Sequence, residues 1–80
     1  MPTILHIDGF RLYFYSADWN EPIHVHIEHG EGEAKFCLRP VRLASSYWMK
    51  AKELKKARRI VEQNAELIAE KWHEYFGSAL

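Results

Sequence analysis

Apolar and polar residues alternate one for one through Ile23–Glu28: Ile23, Val25 and Ile27 share one parity, His24, His26 and Glu28 the other. Successive strand side chains point to opposite faces. The stretch Pro22–His29 (P-I-H-V-H-I-E-H) therefore predicts a strand with one face for a core and one face bearing two imidazoles and a carboxylate. The same period appears upstream. Thr3–Ile7 is β-branched and apolar, Asp8-Gly9 is a tight-turn pair, and Phe10–Tyr15 returns with Phe10, Leu12 and Phe14 opposite Arg11, Tyr13 and Tyr15. That is the pattern of a hairpin. Ser16–Glu21 breaks the alternation and predicts a loop, closed by Pro22, which biases Glu21 towards an extended backbone. After the turn Gly30-Glu31-Gly32, Glu33–Leu38 predicts a fourth strand with Ala34, Phe36 and Leu38 inward. Pro40–Leu43 predicts a short edge strand, where a proline is tolerated, and Ala44–Met49 fits neither period.

The period then lengthens. From Ala51 to Phe76 there is no Gly or Pro, and Leu54, Ala57, Val61, Ala65, Ile68, Trp72 and Phe76 recur three and four apart. This predicts one long amphipathic helix, bent or straight, ended by Gly77. The expected fold is α+β: a four- or five-stranded antiparallel meander packed on one long C-terminal α-helix. It forms a single domain over residues 1–80, with 1–43 as the sheet region and 51–76 as the helix. A helix of that length measures about 39 Å, while six-residue strands span about 20 Å. The overhanging Trp72, Tyr75 and Phe76 are therefore expected to anchor on a partner or on a second copy of the chain.

Composition narrows the class. Eighty residues bury a small fraction of their surface for a domain, and the 48% hydrophobic and 14% aromatic content suits a dense core. Cys37 is the single cysteine, so no internal disulfide forms, and a reducing compartment is expected. The N-terminus lacks the pattern of a signal peptide, and no stretch has the length of a membrane span. These features predict a cytoplasmic protein.

Charge changes the picture more. The formal net charge is zero, yet Arg39, Arg42, Lys50, Lys52, Lys55, Lys56, Arg58 and Arg59 face only Glu53 between positions 39 and 59, a local balance of +7. The segment before carries −4 and the segment after −3. Cations in the first half of the helix, with Glu62, Glu66, Glu70 and Glu74 towards its end, oppose the helix dipole and stack like charges four apart. Such clustering is an electrostatic footprint for phosphates. RNA would lie along these eight cations, with Tyr13, Tyr15 or Trp19 stacking on unpaired bases.

Two reactions suit the polar sheet face. In a ribonuclease, His24 and His26 act as base and acid on the ribose hydroxyl and the leaving oxygen. Arg11 or Lys35 answers the developing charge, and Glu28 and Tyr13 complete the candidate catalytic set. In the alternative, the chain is a non-catalytic interaction module whose long helix docks a partner, or His24, His26 and Glu28 hold a divalent metal; no other cofactor is called for. A face of this kind is also often simply solvated. Cys37 reads as a small, partly buried apolar residue.

The runs M-P-T-I-L-H-I-D-G-F-R-L-Y-F-Y-S, N-E-P-I-H-V-H-I-E, G-E-A-K-F and W-H-E-Y-F-G together resemble the domain of unknown function 4160 family over nearly the whole chain. These are short prokaryotic proteins, often encoded beside a second small protein of the 2442 type. The resemblance implies a candidate toxin–antitoxin module, a cognate small protein partner and, for a toxin, an RNA target. The family has no agreed catalytic residues. Its nearest motif positions here are Pro22, His24 and His26, and the P-x-H arrangement is intact.

Overall fold

The computed structural model describes residues 3–77. Five strands run in chain order across one sheet: β1 (Thr3–Ile7), β2 (Phe10–Tyr13), β3 (His24–His29), β4 (Gly32–Leu38) and β5 (Val41–Tyr47). Every neighbouring pair is antiparallel. Short connections make the meander. Asp8 (φ 50°) and Gly9 (φ 81°) both sit in the left-handed region, which the mirror-image turns of two-residue hairpins demand.

The sheet region runs past residue 43. Ala44–Met49 showed no clear period because β5 carries a bulge: Lys35 faces Ser45 but Phe36 faces Leu43, so Ala44 has no partner. One extra residue flips the parity of everything after it. Leu43 thus points to the helices, while Ser45 and Tyr47 join Lys35 and Glu33 on the other face.

The core lies between the sheet and two helices, with Phe10, Leu12, Phe14, Val25, Ile27 and Phe36 meeting Ala57, Ile60, Val61, Ile68 and Trp72. The chain does not form the single long helix expected of it. There are two helices, α1 (Ala51–Gln63) and α2 (Ala65–Phe76), divided at Asn64. Asn64 leaves helical geometry (φ −115°, ψ 14°), and its side-chain amide donates to the Ile60 carbonyl at 2.8 Å. Asparagine competes in this way for backbone partners, so the break needs neither Gly nor Pro. A straight 26-residue helix of about 39 Å would exceed the 37 Å long dimension of the molecule.

The break removes the overhang. α1 lies on β4 and β5, and α2 sets Trp72 and Phe76 on Phe14 at 5.2 and 5.7 Å between ring centroids. Trp72 belongs to the core rather than to a free interface, Phe76 is half-buried against that core, and Tyr75 alone of the three is exposed. No helix among the described residues is long and apolar enough to cross a membrane.

Candidate functional site

On the face away from the helices, register sets the side chains in rows. Thr3, Tyr13, His26, Lys35 and Ser45 stand level across all five strands. Arg11, Glu28, Glu33 and Tyr47 form the row on one side, and His24 and Cys37 with Arg42 lie on the other. This face is only partly open. The segment between β2 and β3 winds into a 3₁₀ turn, Ser16–Asn20, and brings Asp18 over the start of β3, where it is buried.

Asp18 is the centre of the site. Its Oδ2 accepts the Tyr15 backbone N–H at 2.9 Å and lies 3.1 Å from Nε2 of both His24 and His26. His26 donates to it in line. His24 does not: its Nε2 is buried without a hydrogen-bond partner, because the ring faces the carboxylate out of line. The other nitrogen, Nδ1, lies 2.8 Å from the Pro22 carbonyl. A carbonyl only accepts, so Nδ1 carries the proton and a neutral His24 presents a bare lone pair at Nε2. Asp18, His24 and His26 place their ligand atoms within 4.8 Å of one another, a group able to hold a metal ion.

Aromatic rings enclose the pair. Tyr13 stacks on His26 at 5.4 Å, Tyr15 meets it edge-on at 4.5 Å, and Trp72 of α2 reaches His24 at 5.3 Å. Burial holds the His26 pKa below its ordinary value; Asp18 acts against that and the neighbouring His24 with it. Burial likewise pushes the Tyr13 phenol far above its ordinary range, helped by its hydrogen bond to Tyr15. Beside His26 opens a cleft of about 130 Å³, walled by Tyr13, Tyr15, Lys35, Ser45 and Tyr47.

The residues expected at the site divide. His24 and His26 come together, with Tyr13 against them, but His24 is 1% exposed and cannot touch a polymer substrate. Glu28 lies outside the group that brings Asp18, His24 and His26 together. It pairs with Arg11 at 3.2 Å, one row away, and Asp18 takes the place expected of it. Arg11 also donates to Thr3 and covers the Tyr13 ring, while Lys35 pairs with Glu21 at 2.9 Å. Both cations are engaged by carboxylates, Lys35 while standing beside His26 on the neighbouring strand. Asp18 escaped notice because strand parity says nothing about a loop; the one signal was an acidic residue six positions before the H-x-H pair, in a segment short enough to fold back.

Most of the basic segment lies elsewhere. Lys52, Lys55, Lys56, Arg58 and Arg59 are exposed on α1, which covers the opposite side of the sheet from the histidines. Lys56 approaches Asp8 at 3.8 Å and Arg58 the Val41 carbonyl at 3.5 Å. Among the described residues, Arg39, Arg42, Lys50, Lys52, Lys55 and Arg59 form no ion pair.

A single antiparallel meander covered on one face by a broken helix, with an aspartate-bridged histidine pair on the other, defines a small α+β protein. The chain belongs to the domain of unknown function 4160 family (DUF4160), whose model matches residues 9–73. Neither a curated protein nor a solved structure gave a match.

Proposed function

We propose that this protein binds RNA through phosphate contacts along α1 and its flanks, as one member of a two-protein regulatory module. The observation that carries the reading is the set of exposed cations from Arg39 to Arg59, most of them without an ion-pair partner among the described residues and five of them on α1. Lys56 near Asp8 and Arg58 on the Val41 carbonyl serve the fold, but the spacing of the cations along α1 opposes it. Lys52 with Lys56, and Lys55 with Arg59, stand four apart with like charge, which costs helix stability. Binding RNA offsets that cost, because the cations displace counterions condensed along its phosphates.

The direct experiment is retention of a single-stranded RNA at several salt concentrations. Affinity should fall steeply and linearly in log–log form; salt-independent binding, or none at low salt, defeats the reading. Cleavage is a separate extension, because a strand along α1 must turn round the β5 edge to reach His26. Loss of RNA cleavage in His26→Ala, with binding kept, would establish it. For the module and its toxin arm, growth arrest by this chain alone, relieved by its co-expressed neighbour, is the expected result.

A further inference from the structure

We propose that Asp18 Oδ2, His24 Nε2 and His26 Nε2 bind one divalent transition-metal ion of the zinc class, tying the 3₁₀ segment to β3. The inference does not depend on RNA binding along α1, which lies on the other side of the sheet.

The starting point is the unsatisfied nitrogen. His24 Nε2 is buried, makes no hydrogen bond, and sits 3.1 Å from a carboxylate oxygen. With Nδ1 committed to the Pro22 carbonyl, the ring in its uncharged form sets a lone pair against the lone pairs of Asp18. Buried polar atoms left in that state cost free energy. A cation between the two groups converts the repulsion into two bonds.

The surroundings are those of a prepared ligand set. A histidine ligand commonly donates its second ring nitrogen to a carbonyl, which fixes the tautomer and aims the other nitrogen at the ion. His24 is held in that way by Pro22. The Tyr15 N–H orients the Asp18 carboxylate in turn. Both nitrogens lie 3.1 Å from Oδ2, a few tenths of an ångström inside the roughly 3.4 Å that separates adjacent donors of a tetrahedral ion bound at about 2.1 Å. On binding, the ion replaces the proton that His26 Nε2 now gives to Asp18, and that proton moves to Nδ1 of the same ring. Two imidazoles with one carboxylate select zinc, cobalt, nickel or iron over calcium and magnesium, which prefer oxygen. No fourth side chain joins the group among the described residues, so an exchangeable ligand completes the shell, as in three-ligand zinc sites.

The test is calorimetric titration of untagged, chelator-treated protein with zinc chloride, repeated with cobalt chloride for its visible spectrum. One site per chain is expected, with ligand-field bands of low-coordinate cobalt and a rise in Tm with zinc. Asp18→Asn and His26→Gln, each shown folded by near-ultraviolet circular dichroism, should bind at least about 100-fold more weakly. Glu28→Gln should bind as wild type does. Folded wild-type protein that takes up neither metal overturns the proposal and assigns the buried nitrogen to a proton. Undiminished binding by Asp18→Asn, or loss in Glu28→Gln, overturns the ligand assignment.

Discussion

Pro22, His24 and Asp18 act on one another over a few ångströms, so a change at any of them both removes an interaction and strands a polar group. His24→Ala removes a buried ring packed against Trp72 and leaves the Pro22 carbonyl without its donor. Loss of the ring and of the bond should destabilise the fold by about 2–4 kcal/mol, measured by urea denaturation of metal-free protein. Tyr13 gives a second prediction at this scale. Its phenol is 2% exposed and resists ionisation because burial disfavours the charged form. In a spectrophotometric titration of the folded protein, Tyr13→Phe should leave the tyrosinate signal near pH 11 unchanged. A drop in that signal would mean that Tyr13 ionises in the native state. Both residues were visible in the sequence as members of one strand face. What the sequence withheld was their burial, because strand parity does not specify the cover: Asp18 and Trp72 lie against His24, and Arg11, Tyr15 and His26 enclose Tyr13.

Where β4 begins, the fold depends on the absence of a side chain. A Cβ at Gly32 would stand 2.6 Å from the Trp48 carbonyl oxygen and 3.1 Å from Met49 Cα, both backbone atoms. Trp48 itself holds a positive φ of 53° as the chain turns from β5 into α1, so that neighbour has little freedom to retreat. Gly32→Ala should cost about 1–3 kcal/mol, seen as a lowered Tm with the sheet signature retained. A polar clamp joins the end of β3 to the start of α1: Glu53, in the first turn of α1, accepts the Lys50 N–H at 3.0 Å and pairs with His29 Nδ1 at 2.7 Å. These bonds, the backbone N–H first, hold the Glu53 carboxyl below its ordinary pKa. A carboxyl lowered on folding contributes stability above its unfolded pKa and loses it as pH falls through the folded value. The wild type should therefore lose Tm on acidification below about pH 4.5, and Glu53→Gln should flatten that part of the profile. Strands β2, β3 and β4 and the antiparallel meander were legible because their residues alternate, whereas the edge strands were not fixed by any such pattern. The helix break and the β5 bulge were not legible either, because each turns on one residue, Asn64 and Ala44, whose type does not announce it. Losing the straight helix also withdrew the reason for placing Trp72 at an interface.

Over the whole molecule, charge is sorted by side rather than merely by position in the chain. The sheet face joins Arg11 to Glu28 and Lys35 to Glu21, whereas most of the α1 cations have no such partner among the described residues. Stability and binding then make opposite demands on the same side chains. Lys52, Lys55 and Arg59 are exposed, and each stands near the positive end of α1 or four apart from another cation. Replacing all three with Gln relieves like-charge repulsion and dipole opposition, each worth about 0.3–0.5 kcal/mol. The triple variant should accordingly melt at or slightly above the wild-type Tm. Its affinity for single-stranded RNA should nonetheless fall, and the slope of log K against log salt should become shallower by about 2, since each phosphate neutralised contributes about 0.7. A matching change of Glu62, Glu66 and Glu70 to Gln should leave that slope alone. Weaker binding with an unchanged slope would point to an altered fold rather than to fewer neutralised phosphates, and a triple variant that binds as tightly as the wild type would return these cations to the role of solvated surface. Only the combination of a kept or raised Tm with a shallower slope marks residues whose retention the folded state does not explain.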